Sequence, residues 1–392
     1  MNICGIICEY NPFHRGHARQ IAEIRRRLGE NTAIVCAMSG DFVQRGEAAI
    51  FSKYDRAAAA VAGGADLVLE LPLPWSLSSA EGFARGGVGL LAETGVVTHL
   101  AFGSESCDLP ELVRTAALLQ QPETDARIRT ALGTGISYAA ARAQAITERG
   151  GTAFSAPNDI LAVEYLRALQ KLDTAITPLA LPRFGAAHDS DENSDYPSAS
   201  RLRQKLAAGE PVVPWIPAAA LAALERGEGM PAPALLETAI LSRLRALPEE
   251  AFAGLPDSGE GLHHRLFKAA HAEPTTDAVI EAAATKRYAR ARIRRMCLCA
   301  ALGLRAGDNA GLPPYLRVLA ADGTGCSLLR RMSDCAAVPV VIKPAEVRCL
   351  STEIQRVFQL CASAADIFAL ALPERASRTG DRDWKHTPDI VK

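Results

Sequence analysis

Two histidines bracket a glycine at His14-Arg15-Gly16-His17, directly after the apolar run Ile3-Cys4-Gly5-Ile6-Ile7-Cys8. Imidazoles at this spacing can hydrogen-bond phosphate oxygens and offset the charge that builds when an α-phosphorus is attacked. The intervening Glu9-Tyr10-Asn11-Pro12-Phe13 is turn-forming, and Ala18, Ile21, Ala22, Ile24 and Leu28 follow at helical spacing. A buried strand that turns and opens a helix gathers backbone N–H groups and a positive dipole end at one spot, a setting that suits phosphate. The reading is an ATP site at the mouth of a parallel sheet, with His14 and His17 as its catalytic pair. Eight His and 30 Gly in 392 residues make a chance His-x-Gly-His expected about 0.01 times per chain, so the strand–turn–helix setting is what gives the motif weight. The competing reading is a solvated turn whose histidines cap the next helix.

The scaffold for such a site is written in the alternation that follows. Residues 32–39, 65–71, 98–102 and 177–183 read as further strands, and 53–62, 80–93 and 158–172 as helices, with a helical insertion over 109–149. Strands separated by helices of this length imply βαβ units and a parallel sheet. Their near-continuous apolar runs imply that both sheet faces are covered. Residues 188–195 form an acidic loop, and a helix with a hydroxyl cap starts near 198–200. Pro211, Pro214 and Pro217 mark a boundary. The expected class is α/β: a Rossmann-like nucleotide-binding domain over 1–210, then a mainly helical domain over 211–392 with a small αβ tail from Tyr315. Within the second domain, 275–302 reads as one helix, and the charged residues from about Glu374 read as loose.

Composition narrows the classes. Hydrophobic content of 48% and charged content of 22% are those of a soluble globular protein. The net charge of −1 means that any nucleic-acid partner must be met by a local basic patch. Ten cysteines without a C-x-x-C pair suit a reducing cytosol and suggest no disulfide framework or zinc site. No run approaches the length of a membrane span. The expectation is a cytoplasmic protein with no membrane partner and no dedicated metal ligands, Mg²⁺ as a companion of ATP being left open.

The string Gly5-Ile6-Ile7-Cys8-Glu9-Tyr10-Asn11-Pro12-Phe13-His14-Arg15-Gly16-His17 resembles the bacterial tRNA(Met) cytidine acetate ligase family, in the nucleotidyltransferase superfamily. So do Met38-Ser39-Gly40-Asp41-Phe42-Val43-Gln44-Arg45-Gly46-Glu47, Gly64-Ala65-Asp66-Leu67-Val68-Leu69-Glu70-Leu71-Pro72, Phe102-Gly103-Ser104-Glu105, Pro157-Asn158-Asp159-Ile160-Leu161, Arg183-Phe184-Gly185-Ala186 and Ser198-Ala199-Ser200-Arg201-Leu202-Arg203. Thr285-Lys286-Arg287-Tyr288 and Pro314-Tyr315-Leu316-Arg317-Val318-Leu319 extend the similarity across the chain. The pattern departs from the family's at Arg15 and Asp41, where Asn is usual, at Ala187, where Tyr is common, and at Arg201, where a small residue is usual. The resemblance implies a two-step reaction. Acetate attacks the α-phosphate of ATP to give acetyl-adenylate and pyrophosphate; the exocyclic amine of the wobble cytidine in elongator tRNA(Met) then takes the acetyl group and AMP leaves. It also implies ATP contacts along Ile7, Cys8, Glu9, Tyr10, Asn11, Pro12, Phe13, His14, Arg15, Gly16 and His17 as far as Gln20, and at Gly103, Asn158, Arg183, Ser200 and Arg203.

Each of these has a plainer reading. Gly103 either lets backbone approach adenine or ribose, having no Cβ, or ends a strand. Asn158 either meets the nucleotide or caps its helix. Arg183 either grips a phosphate or carboxylate bidentately or makes a surface ion pair. Ser200 and Arg203 either form a second phosphate-binding helix start or, for Ser200, a cap. Asp66 and Glu70 share a strand face about 13 Å apart, too far to share a proton, with Glu70 left as a residue that could line the cleft. Lys286, Arg287, Arg290, Arg292, Arg294 and Arg295, with Tyr288 among them, form a basic cluster, Lys286, Arg290 and Arg294 lying on one ridge, for RNA phosphates and a stacked base or else an exposed, salt-bridged helix. Two other functions share the motifs: a small-molecule adenylyltransferase, and a non-catalytic RNA-binding protein with structural ATP.

Overall fold

The computed structural model describes residues 1–183, 197–259 and 261–391. The expected acidic loop, Ala187 and the Phe184-Gly185-Ala186 string lie outside the described residues. Along the chain, β1 (Ile3–Cys8) leads into helix α1 (Arg15–Leu28) and β2 (Ala33–Ser39). A short hairpin follows, β3 (Phe42–Val43) and β4 (Glu47–Ala48), then helix α2 (Lys53–Ala62) and β5 (Leu67–Leu71). Strands β6 (His99–Ser104) and β7 (Thr177–Pro182) come next, and β8 (Leu316–Ala321), β9 (Val340–Val341) and β10 (Asp389–Ile390) lie far downstream.

Among the described residues eight strands make one sheet in the order β10-β8-β5-β2-β1-β6-β7, with β9 beside β8. Its central pairs are parallel: Ile6 sits opposite Cys36 of β2 and Ala101 of β6. Alternate residues go to opposite layers, as a strand buried on both faces requires. Ala33, Val35 and Ala37 join one core with Trp75, Phe83 and Phe358. Ile34, Cys36 and Met38 join another with Ile21 and Ile24 of α1 and the alanines of α2. A third core is built by the helices between Pro233 and Leu302 against the Thr352–Ala369 helix.

Three expectations change. The αβ tail does not stay with the helical part: β8 runs antiparallel to β5 and extends the sheet, because its apolar residues Leu316, Val318 and Leu319 continue both layers. The residues beyond Glu374 are held, since Asp383 is completely buried and Asp389–Ile390 pairs with β8. The helix expected over 275–302 breaks into Thr276–Ala283 and Arg290–Leu302. There the Thr285 hydroxyl accepts from the N–H groups of Arg287 and Tyr288 at 3.2 and 3.0 Å, a local turn that competes with the helical ladder.

Candidate active site

At β1 the order in which strands are added reverses, β2 and β5 lying on one side and β6 and β7 on the other. In open α/β sheets the crevice beyond the strand C-termini at such a point is where ligands bind. A cavity of about 580 Å³ lies there, walled by the ends of β1, β6 and β7, the start of the Pro157–Lys171 helix, the start of the Ala199–Ala207 helix, and Ala291 and Arg295 of the Arg290–Leu302 helix.

His14 and His17 stand at the head of α1. His14 is its N-cap: its Nδ1 accepts from Gly16 N–H at 3.0 Å, and its own N–H donates to Nδ1 of His17 at 3.2 Å. This is a capping box built from two imidazoles. A ring whose Nδ1 accepts carries its proton on Nε2, so each histidine retains an Nε2–H donor. The rings are stacked 3.7 Å apart, and Tyr10 and Phe13 pack against His17 at 4.8 and 5.6 Å. Burial, reinforced by the positive charge of Arg183, lowers the His14 pKa to about 4. Burial, His14 and Arg183 hold His17 well below the ordinary imidazole range. Without ligand, both are neutral donors. The capping reading and the phosphate reading therefore use different nitrogens of the same rings.

Ile7, Cys8, Glu9, Tyr10, Asn11, Gly16 and Gln20 also line the cavity. The Glu9 carboxylate accepts from Gln44 N–H at 3.0 Å, and burial raises its pKa. The Asn11 side chain is occupied structurally, its Oδ1 accepting from Ile50 N–H at 2.8 Å. Pro12, Phe13 and Arg15 are not on the cavity wall. Phe13 is fully buried against Gly63, and Arg15 is exposed, its N–H donating to Trp215 O. Asp41, the departure from Asn, accepts from Lys53 N–H at 2.7 Å.

Across the cavity, Gly103 lies within β6 rather than at a turn, and a Cβ there would meet nothing within 4 Å. The wall is open at that point. Asn158 does not cap its helix, whose N-cap is Ala156; its Nδ2 donates to Glu105 at 2.6 Å. Arg183 donates to the same carboxylate oxygen at 3.3 Å. Glu105 therefore sets the direction of both side chains, a role that its place at the end of the Phe102–Glu105 motif does not signal. Ser198, not Ser200, caps the Ala199–Ala207 helix. Ser200 instead accepts from Arg203 at 3.2 Å, and Arg203 also donates to Asn11 O at 3.0 Å, which ties this helix to the histidine loop.

The basic stripe is not a ridge. Lys286 and Arg287 lie in the bend, exposed, while Tyr288 is only 7% exposed and its ring belongs to the helical core. Tyr288 is thus withdrawn as a stacking platform. Arg290 pairs with Glu281 at 2.7 Å, and Arg294 pairs with Glu47 at 2.9 Å. Glu70 does not line the cleft. It is buried, with Lys53 at 2.7 Å and Arg317 at 3.6 Å, and Lys53 also contacts Asp383 at 2.6 Å. Asp66 is separate, accepting from Ile34 N–H and Arg25. Among the cavity residues that the sequence did not assign to ATP are Gln44, Arg45, Ala291 and Arg295, the last of them expected only in the basic cluster. Their signal in the sequence is the hairpin turn at Gly46, where φ is +77° and a Cβ would strike the Arg294–Arg295 backbone at 2.8–2.9 Å.

Comparisons with known proteins agree with this fold. A family model described as HIGH Nucleotidyl Transferase matches residues 1–383. A protein of Syntrophomonas wolfei named tRNA(Met) cytidine acetate ligase is 34% identical, with 99% of each chain covered. One of Acetivibrio thermocellus with the same name is 30% identical over 100% of both. The crystal structure of Thermotoga maritima TmcAL bound with alpha-thio ATP superposes with a TM-score of 0.92 at 29% identity, covering 100% of this chain and 99% of that one. The apo form of that protein gives 0.94 over 100% of both chains. On these matches the chain belongs to the HIGH nucleotidyltransferase family, among its tRNA(Met) cytidine acetate ligases.

Proposed function

We propose that this protein uses ATP to join acetate to the N4 amine of the wobble cytidine of elongator tRNA(Met), through acetyl-adenylate. The observation that carries the reading is the pair of neutral imidazoles whose Nδ1 atoms are fixed by the start of α1 while both rings line one cavity. Donors held in place before the reaction stabilise developing negative charge without reorganisation. In the first step an acetate oxygen attacks the α-phosphorus, and pyrophosphate leaves on the opposite side. Nε2–H of His14 and His17 donate to the phosphate oxygens as charge accumulates. Gly103 leaves room for adenine or ribose, and Asn158 and Arg183, aligned by Glu105, meet the nucleotide. Ser200 and Arg203 face the polyphosphate.

In the second step the cytidine amine attacks the acetyl carbonyl, a proton leaves the nitrogen, and AMP departs. Lys286, Arg287 and Arg290, just ahead of the cavity-lining Ala291 in the chain, present exposed cationic groups for tRNA phosphates. Imidazoles and guanidiniums dominate the phosphate end, and Glu9 is engaged by Gln44. That donor set does not suit a resident Mg²⁺, and no step runs through one; Mg²⁺ arriving with ATP would be held by the phosphates. No described helix is long and apolar enough to cross a membrane, and the proposed place of work is the cytoplasm, where the tRNA is.

The test is to incubate the protein with labelled acetate, ATP and tRNA. Acetylated cytidine together with acetate-dependent pyrophosphate release supports the reading. Pyrophosphate release that needs neither acetate nor tRNA overturns it.

A further inference from the structure

The Arg290–Leu302 helix carries four arginines, at 290, 292, 294 and 295. Three are engaged: Arg290 with Glu281, Arg294 with Glu47, and Arg292 donating to Asp257 O at 3.1 Å. Arg295 differs. Among the described residues its side chain makes no hydrogen bond or ion pair, and its Nε is sealed from solvent with no partner. It lines the cavity with Ala291, one helical turn earlier. Burial lowers its pKa, with Asp257 opposing from beyond ion-pair range. A half-buried guanidinium whose Nε is cut off from water, with no counter-charge in ion-pair range, loses part of its hydration, and an anion entering the cavity offsets that loss.

The surroundings indicate which anion. Arg45 and Arg203 line the same cavity. Glu47 contacts both Arg294 and Arg203, at 2.9 and 3.7 Å, and Arg203 in turn contacts Asn11 O beside the histidines. Gly46 brings the hairpin backbone against that of Arg294 and Arg295. Arg295 is therefore fastened, through one hairpin, to the phosphate side of the cavity. It is also half-buried and lines the cavity, whereas Lys286 and Arg290 are exposed and do not. That position suits a small polyanion within the cavity rather than an RNA strand across its mouth.

We propose that Arg295 grips the pyrophosphoryl end of ATP, so that the helical part supplies a binding residue for the adenylation step. This rests on the ATP reading above. It predicts that the helical part is needed before any tRNA arrives.

The experiment measures acetate-dependent exchange of labelled pyrophosphate into ATP without tRNA, and tRNA binding separately, in the full chain. Arg295→Gln is expected to raise KM for ATP about 10- to 100-fold, the loss of a charged hydrogen-bonding group, with tRNA affinity unchanged. Arg295→Lys, which keeps the charge but not the fork, should fall between. Wild-type KM for ATP in Arg295→Gln overturns the proposal, whether or not tRNA affinity falls. If Arg295→Gln does not fold, Arg295→Lys decides: an elevated KM for ATP supports the proposal and a wild-type value overturns it. Should the unaltered protein show no acetate-dependent exchange, the acetate reading fails by itself. Affinity for a non-hydrolysable ATP analogue then tests Arg295 independently, weakened binding supporting the proposal and unchanged binding overturning it.

Discussion

His14 and His17 are stacked 3.7 Å apart, and each uses its Nδ1 to accept from the backbone at the head of α1. One interaction thus does two things. It satisfies N–H groups that a helix start leaves without partners, and it fixes which nitrogen of each ring carries the proton. A histidine tautomer is set by the hydrogen bond the other nitrogen makes. Here that partner is the backbone of the same turn, so the donors are aligned before ATP arrives.

This separation of roles can be tested at one position. Asn is among the best N-caps, so His14→Asn should keep the helix start, whereas His14→Ala should lose about 1 kcal/mol of stability. Both lack the Nε2 donor and should slow pyrophosphate release by about 10²- to 10³-fold. Thermal melting and pyrophosphate release on the same two proteins read the two roles separately. Near-normal turnover in His14→Asn would remove His14 from the chemistry.

The low pKa of His14 has a stability consequence. Folded, it titrates at about 4; unfolded, near 6.5. Between these values the unfolded chain binds the extra proton, so this contribution is fully present above about pH 6.5 and falls away as pH drops toward 4. Asp55, raised to about 6 by burial, acts in the opposite direction in the same window, so the informative quantity is a difference. Between pH 7 and 4.5 the urea midpoint of His14→Asn should fall less than that of the parent. Parallel curves would refute the assigned shift.

Much of the fold is legible because its strands are nearly uninterrupted apolar runs and its helices are capped by visible signals such as Ser52 and Ser198. His14, His17, Gly103, Asn158, Arg183, Ser200 and Arg203 can be named from the histidine turn and the family resemblance, and all of them line the cavity, whereas Pro12, Phe13 and Arg15 do not. Long-range pairing cannot be read in the same way. Asp383 has the appearance of a charged tail residue until Lys53 and Arg317 are seen around it, and nothing local foretells that β8, so far downstream, returns to pair with β5. The stripe from Lys286 to Arg294 misleads for a local reason: Thr285 supplies a side-chain acceptor that ends the helical ladder.

Glu105 should matter through Asn158 and Arg183 rather than by touching ATP itself. It accepts from both, at 2.6 and 3.3 Å. Removing it by Glu105→Ala frees two side chains whose direction it sets, each hydrogen bond contributing about 1 kcal/mol. KM for ATP should rise about three- to tenfold while kcat stays within about twofold, since the histidine donors are untouched. A fall in kcat with KM unchanged would place Glu105 in the chemistry instead.

The cluster of Lys53, Tyr54, Glu70, Arg317 and Asp383 fastens the C-terminal residues to α2, β5 and β8. Lys53 is 1% exposed and lies between two carboxylates. Lys53→Met leaves Arg317 as the one cation that ion-pairs with those carboxylates among the described residues, and breaking a buried pair in this way costs about 3–5 kcal/mol. Tyr54→Phe, which removes one hydrogen bond to Asp383, should cost about 1–2 kcal/mol. Denaturant midpoints should rank parent, Tyr54→Phe, then Lys53→Met, and limited proteolysis of Lys53→Met should begin beyond Glu374.

The arginines of the divided basic segment should separate by their partners. Lys286, Arg287 and Arg290 are exposed, and replacing all three with Ala should weaken tRNA binding. It should also reduce the magnitude of its salt slope by about three, one counterion for each phosphate that is no longer neutralised. Pyrophosphate exchange without tRNA should be unaffected. Arg294 belongs to the other class, because Glu47 joins it to Arg203 and so to the histidine loop. Arg294→Ala should raise KM for ATP several-fold, each charged hydrogen bond contributing about 1.5–3 kcal/mol before solvent screening, and should leave the salt slope within about one unit. The opposite pattern, with Arg294 governing the salt slope and the triple variant governing exchange, would mean that RNA enters along the buried side of this helix and that the cavity faces a different partner.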